Sequence, residues 1–291
     1  MTISEWNQYL TDKITKDTEK KLAEALKEAR KQVNEKISFY FSEYGRGKTI
    51  PAGEYFAYQR NVKLESYIDE IEKNLKADKL KIIQNNQVDL YNQVFNTILY
   101  DANNNGLAFN FAKINKEAVL LSIQNPIDKL KLPMILEFER QEITRQLQIS
   151  ISSGIISGRG YRDVADTVSN LFDGDYNKAL RVVRTESGKV KTTAELNAMA
   201  KIQKDTKQTV YKTWIATKDS RTRDTHKMMD GVRIPLDDNF VLPGAIGQGP
   251  RNLQGDPGEI INCRCSLVYD YGQDNTNFNE ADFKRWAGNK V

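Results

Sequence analysis

The side chains best suited to chemistry gather near the C-terminal end of the sequence. His226 is the only histidine, and Cys263 and Cys265 the only cysteines, in 291 residues. One imidazole and two thiolates are ligands that zinc favours, with Asp219, Asp230 or water as a fourth. In an extended strand the two cysteines share a face, because side chains alternate. A Cys-x-Cys pair is tighter than the usual knuckle of a structural zinc site and must bend to bring its sulfurs together. The competing reading packs Cys263 and Cys265 as small hydrophobes on the inner face of a strand, with His226 bound to a loop carbonyl. A single histidine excludes the two-histidine metalloprotease motif. Asp219, Asp224 and Asp230 near His226 leave open a metal-dependent nuclease or DNA-end-processing enzyme.

A second group is cationic. Between residues 178 and 207 stand eight basic residues, Lys178, Arg181, Arg184, Lys189, Lys191, Lys201, Lys204 and Lys207, against three acidic ones. The whole chain carries 43 basic and 39 acidic residues, so this stretch accounts for the surplus. Such a run either neutralises the phosphates of double-stranded DNA without reading sequence or forms a solvated face. It lacks the interleaved aromatics and signatures of sequence-specific readers. Within it, Arg184-Thr185-Glu186, with Asn197 downstream, suits a phosphate-binding arginine oriented by a carboxylate, or an ion pair that sets helix register.

Common enzyme motifs do not occur. There is no P-loop, no nucleophile elbow and no dinucleotide fingerprint, and Gly45-Arg46-Gly47-Lys48 and Gly158-Arg159-Gly160 lack the strand context those motifs need. At a mean hydropathy of −0.62 the chain offers no apolar run approaching the roughly 20 residues of a membrane span. The start, Met1 to Glu5, lacks the pattern of an export signal. Two cysteines this close form no disulfide framework, which suits a reducing compartment.

The elements that position these groups are mainly helical. Leu22, Leu26, Ala29, Val33, Ile37 and Phe41 recur at spacings of three and four. Extended back to Leu10, this predicts a helix of about 40 residues ending near Gly45. Further stretches carry Leu64 to Leu75 and Tyr91 to Leu99. A short one covers Ala118 to Ile123 before Pro126, and another follows Pro133 and ends around Ser152-Ser153-Gly154. After Tyr161 the pattern returns, broken at Asp173-Gly174-Asp175, and then the basic helix begins. Beyond residue 208 the period shortens. Thr209–Thr217 and Glu259–Tyr269 read as strands around a glycine- and proline-rich loop, Pro235 to Pro257. The fold class is therefore mainly α with a small C-terminal α+β module: a long N-terminal helical arm, a helical bundle, then a short β-hairpin-like module. Residues 1–132 form the arm and bundle, 133–207 a connector with the basic helix, 208–271 the α+β module, and 272–291 a polar tail with an anchor at Phe283 and Trp286.

One family shares this order of residues. Gly158-Arg159-Gly160-Tyr161-Arg162-Asp163, then Arg184-Thr185-Glu186 with Asn197, then Trp214, Asp219, Arg221, Arg223, His226 and Gly231, and finally Asn262-Cys263-Arg264-Cys265 together resemble the phage head morphogenesis domain of the Mu F-like minor head proteins. The resemblance covers roughly residues 135–270. It implies a minor structural protein of a tailed-phage head, a virion protein of the head interior or portal region that passes through the host cytoplasm during assembly. It also implies partners in the portal protein and the capsid interior and roles in assembly, packaging or ejection; the basic run adds nonspecific contact with double-stranded DNA, and the residues themselves call for neither enzyme activity nor a membrane anchor. Many relatives carry Cys-x-x-Cys or Cys-x-x-His where this chain has Asp224-Thr225-His226. Here that leaves His226, Cys263 and Cys265 as zinc candidates, with Asp219 as a fourth, and Arg184, Glu186, Trp214, Gly231 and Asn262 as structural motif residues.

Overall fold

A computed structural model describes residues 1–124, 131–271 and 278–288. The expected stop at Pro126 and the start of the tail at Gly272 lie outside the described residues. The chain forms two compact units, one from Met1–Asp17, Gln84–Pro126 and Arg181–Val291, the other from Thr18–Ile83 and Ile127–Leu180. We call them unit 1 and unit 2. Helices α1 (Ile3–Tyr44), α3 (Arg60–Asn104) and α6 (Tyr161–Thr206) each contribute residues to both.

Helix α1 begins with a reciprocal cap. The Glu5 amide donates to Thr2 Oγ1 at 3.2 Å and the Thr2 amide to the Glu5 carboxylate at 2.8 Å, which satisfies donors that a helix start leaves open. Its predicted length and end are observed. Two other boundaries are not. The stretches at 64–75 and 91–99 are one continuous helix, α3, because no glycine or proline falls between Arg60 and Asn104. The break expected at Asp173-Gly174-Asp175 is also absent. A single helical glycine costs only about 1 kcal/mol, and Asp175 is buried against Lys79 Nζ at 2.5 Å.

Unit 2 is a helical bundle. Leu22, Leu26, Val33 and Ile37 of α1 bury one stripe; Leu64, Ile68, Ile71 and Leu75 of α3 bury another. Helix α5 (Leu132–Ile156) adds Leu136, Ile143, Leu147 and Ile151, and α6 adds Val164, Val168 and Phe172. Polar ties cross the bundle: Arg140 on α5 reaches Asp69 at 2.7 Å, and Lys76 reaches Glu137 at 2.7 Å. Between α1 and α3 lie the short α2 (Ala52–Phe56) and a single 3₁₀ turn, Ala57–Gln59. Tyr58 and Gln59 there have φ of 52° and 55°, left-handed values that cost side-chain-bearing residues on the order of 1–3 kcal/mol each.

Unit 1 holds the β-structure. Strand β1 (Tyr211–Ile215) is central in an antiparallel sheet, flanked by β2 (Arg233–Pro235) and β6 (Ser266–Asp270). A second sheet, β3 (Phe240–Leu242), β4 (Ala245–Gly249) and β5 (Asn252–Gly255), occupies the region expected to be an irregular loop. Its glycines explain both the misreading and the fold. A side chain at Gly247 would collide with the backbone of Asn252 and Leu253, so the strands pair only because it is absent. Helix α4 (Lys116–Ser122) starts at an Asn115 cap. The short α7 (Asp224–Met228) and α8 (Pro257–Ile260) interrupt the strands, and α8 replaces the strand expected from Glu259. Helix α9 (Glu280–Trp286) supplies the expected anchor, with Phe283 buried against Tyr100. Among the described residues, no helix is long and apolar enough to cross a membrane.

Candidate metal centre and the cationic helix

Helix α7 delivers His226, and the turn behind it fixes its position. The Gly231 amide donates to the Trp214 carbonyl at 2.8 Å, with Gly231 at φ 79°, and the Trp214 amide donates to the Val232 carbonyl at 3.0 Å. Asp230 accepts the Ala216 amide at 2.9 Å. Trp214 is fully buried and stands edge-on to the imidazole, with centroids 5.4 Å apart. Gly231 and Trp214 thus hold the loop through their backbones.

The cysteines arrive from a turn, not from a strand. Asn262, at φ 56°, turns the chain after α8, and its amide points to Thr185 Oγ1 at 3.3 Å. Cys263 and Cys265 then face inward while Arg264 faces out, so they share a side although β6 begins only at Ser266. The Cys265 carbonyl accepts from Arg251 Nη2 at 2.8 Å. The guanidinium of Arg251 rests where a Gly188 side chain would be, so any larger residue on α6 at that position would displace it.

All three candidate ligands are buried and converge. His226 Nδ1 lies 3.4 Å from Cys265 Sγ and 3.5 Å from Cys263 Sγ, and the three ligand atoms lie within 4.8 Å of one another. With zinc–sulfur and zinc–nitrogen bonds of about 2.3 and 2.0–2.1 Å, the nitrogen–sulfur edge of a tetrahedral site is about 3.5 Å. The residues therefore fit a zinc ion in size and donor type. The same separations also suit a hydrogen-bonded thiol pair around an imidazole. There the hydrogen bond from Cys263, then His226, holds Cys265 well below the usual thiol range, and the same Cys265 contact together with burial pushes Cys263 up.

The other ring nitrogen meets a residue that the sequence reading missed. His226 Nε2 is 2.9 Å from Glu259 Oε2, close but off the line of a hydrogen bond, and Glu259 also accepts from Thr225 Oγ1 at 2.8 Å. A carboxylate behind a ligating histidine is the usual way to fix its tautomer. Glu259 lay inside an expected strand, and only α8 turns it towards the ring. Among the described residues, no loop carbonyl is hydrogen-bonded to the His226 ring.

Asp219 is not in this cluster. Its carboxylate forms a paired contact with Arg264, accepts the Arg221 amide at 3.0 Å, and is held far below the usual carboxylate range chiefly by Arg264. Its proposed ligand role fails because a bound guanidinium already occupies both oxygens. Asp219 instead lines an open cleft of about 340 Å³ with Thr217, Lys218 and Asp230.

The cationic stretch also divides. Lys189 and Lys191 are buried, paired with Glu186 at 2.8 Å and Glu195 at 3.4 Å, so neither can meet a phosphate. Glu186 accepts from Gln87 and from Lys189, both at 2.8 Å. Asn197 donates to Tyr91 at 2.7 Å. Arg181, Arg184, Lys201, Lys204 and Lys207 are exposed, Lys201 with Asp205 at 2.8 Å, and Lys178 is half-buried.

Comparison with known proteins bears on the same region. Residues 145–268 match the family described as Phage Mu protein F like protein, a span that contains every residue of the His226 cluster. The chain is 29% identical over 274 residues to minor head protein GP7 of Bacillus phage SPP1, covering 91% of this chain and 85% of that one. These matches support the Mu F-like minor head family for this chain. The chain is also 28% identical over 162 residues to the NAD(+)–arginine ADP-ribosyltransferase EFV of Enterococcus faecalis, a match covering 56% of this chain and 33% of that protein. No solved structure matches. The GP7 alignment is too long to be confined to the Mu F-like segment, so it takes in helices for which the sequence itself gave only periodicity.

Proposed function

We propose that the protein is a minor structural component of a tailed-phage head, located at the head interior or portal region after assembly in the host cytoplasm. The similarity to GP7 along nearly the whole chain carries this reading. In it, the helical part docks on the portal or inner capsid, and the exposed cations Arg181, Arg184, Lys201, Lys204 and Lys207 contact double-stranded DNA nonspecifically during assembly, packaging or ejection. Co-purification with the portal ring of the same virus tests the first half. Retention of DNA across a salt series tests the second: reversal of Lys201, Lys204 and Lys207 should weaken it and flatten its salt dependence, and unchanged retention would remove the DNA contact.

The cluster at His226 is read as structural. When bound, zinc supplies a cross-link between α7 and the turn leading into β6. His226, Cys263 and Cys265 would hold it, with the Glu259 carboxylate beside the far ring nitrogen. Burial of all three ligands favours this over the nuclease alternative, which needs an ion that substrate can reach. Protein purified without added metal should carry close to one zinc per chain, and chelation should lower its melting temperature. A content below about 0.2 per chain would favour the hydrogen-bonded thiol pair. The transferase activity in the name of the second relative belongs to a protein of which this chain resembles a third, and no step is assigned from it.

A further inference from the structure

Helix α5 is apolar on two opposite faces. Toward the bundle it buries Leu136, Ile143, Leu147 and Ile151. On the other side Met134 (41% exposed), Phe138 (52%), Ile149 (54%) and Ile156 (53%) stand in solvent. At about 100° per residue these four fall within about 60° of one another around the helix axis, and at 1.5 Å per residue they form a stripe about 33 Å long. The flanks of α5 are tied to its neighbours. Gln148 donates to the Glu65 carbonyl of α3 at 3.1 Å, Arg140 reaches Asp69 at 2.7 Å, and the Ser152 hydroxyl meets that of Tyr55 on α2 at 2.8 Å. A helix that is apolar on both faces is normally covered on both, and a row of exposed apolar side chains bordered by polar ones marks an interaction surface.

The stripe carries its own complement. Near its middle lie Glu142 and Arg145, their side chains 42% and 60% exposed, joined within the helix at 2.9 Å. They stand at equal distances on either side of the point between Ile143 and Thr144, and so do Phe138 and Ile149. A second copy laid antiparallel across that point sets Phe138 of each chain against Ile149 of the other, and Glu142 against Arg145. The spacings from Phe138 through Glu142 and Arg145 to Ile149 are four, three and four, the order that packs two helices along a seam. A face that matches itself under a two-fold rotation is what an isologous dimer requires. With one carboxylate for its one guanidinium, the stripe offers duplex DNA no net positive charge.

We propose that the outer face of α5 is a dimer interface, at which two copies of this chain pair α5 antiparallel about the point between Ile143 and Thr144. Each Arg145 then meets two carboxylates, its own Glu142 and that of the second copy. The four alternating charges at the two-fold axis fix register and orientation, and the apolar residues on either side supply the buried area.

Sedimentation equilibrium of the full chain across a concentration series tests this. Wild type should pass from the 33.3 kDa of one chain to twice that mass as concentration rises. E142R and R145E each set like charges opposite one another at both contacts, and F138A/I149A removes the apolar pairs. All three should associate at least about tenfold more weakly, with unchanged helical circular dichroism. Mixing E142R with R145E should regain the dimer, because each chain then supplies the charge that the other needs, and the double variant E142R/R145E should regain it alone. A wild-type chain that keeps the mass of one copy up to its solubility limit would overturn the proposal. So would a dimer indifferent to these substitutions, which would use another face. If the single reversals abolished the dimer and their mixture did not restore it, the antiparallel pairing would be wrong and the proposal would fall with it.

Discussion

Helix α6 is packed in two different ways along its length. In unit 2 its residues 161–180 bury Val164, Val168, Phe172 and Ala179 and leave most of the intervening positions open. In unit 1 its residues 186–196 are buried on every face, although Glu186, Lys189, Lys191 and Glu195 are among them. The first half obeys the amphipathic rule, in which one apolar stripe faces a core. The second half is surrounded: α3 supplies Gln87 and Tyr91, the β4–β5 turn lays Arg251 on Gly188, and Asn252 reaches Thr193 at 3.5 Å. A helix can thus bury charge if its sequence carries the counter-charge one turn away. Periodicity reports burial only where a single face is covered.

That difference makes the largest expected effect a charge effect. Removing one member of a buried pair leaves the other unpaired, at a cost of about 3–5 kcal/mol, whereas replacing both with apolar residues is often neutral. Lys191→Met should therefore destabilise the folded protein by several kcal/mol, as measured by urea unfolding, and Lys191→Met with Glu195→Leu should recover most of it. Burial raises the Glu195 carboxyl above its ordinary value, with Lys191 opposing. Because its folded value lies above its unfolded one, the protonated form favours folding at low pH and that benefit is lost as pH rises. The single variant should accordingly lose most stability at high pH. A loss below about 1 kcal/mol at every pH would show that the buried pair contributes little.

In unit 2 the comparable cut is apolar. Ile68→Ala removes a fully buried side chain and should cost about 2–5 kcal/mol by chemical denaturation, without the pH dependence of the Lys191 variant. A pH-dependent loss there would erase the contrast between the two halves.

How much was legible follows from the same contrast. The bundle stripes of α1, α3 and α5 and the meeting of His226 with both cysteines were readable, because each depends on local period or on rare residue types. Two boundaries were lost to overreading: Gly174 looked like a break because a helix's tolerance of one glycine depends on its packing. The burial of Lys189 and Lys191 was hidden because their partners, Glu186 and Glu195, also fit a solvated face. Glu259 and Arg251 could not be found at all. Their roles arise from α8 and from the second sheet, which glycines at 247, 249 and 255 disguise as a loop. One signal was available: Gly188 in mid-helix is a position where something else approaches closely.

Two smaller effects sharpen the contrast. Gly188→Ala should improve helix propensity yet destabilise by about 1–3 kcal/mol, because the new methyl displaces Arg251. A gain in melting temperature would mean that Arg251 moves freely. In unit 2, Glu72 is buried beside Asp175, and burial, reinforced by that neighbouring charge, raises its carboxyl from the ordinary 4.5 to about 7. The folded state binds this proton more tightly than the unfolded one, so the stabilisation is complete below about 4.5 and is lost as pH rises through about 7. Glu72→Gln should remove that slope and be the more stable protein at pH values above it, as followed by urea midpoints across pH.

The smallest effect belongs to the exposed end of α6. Lys204 and Lys207 stand in solvent beyond the buried stretch. Reversing both to glutamate should shift stability by no more than about 0.5 kcal/mol, the range of ordinary surface substitutions. The same pair of changes should reduce DNA retention at low salt, because each cation lost removes a phosphate contact and its counterion release. If the exposed end of α6 contacts DNA as proposed, stability and DNA binding are separable on one helix, with Lys191 carrying the first and Lys204 with Lys207 the second. A double reversal that melted the protein would place those two lysines in the packed part of unit 1, and the division of α6 into a buried, charge-paired segment and a solvated end would have to be redrawn.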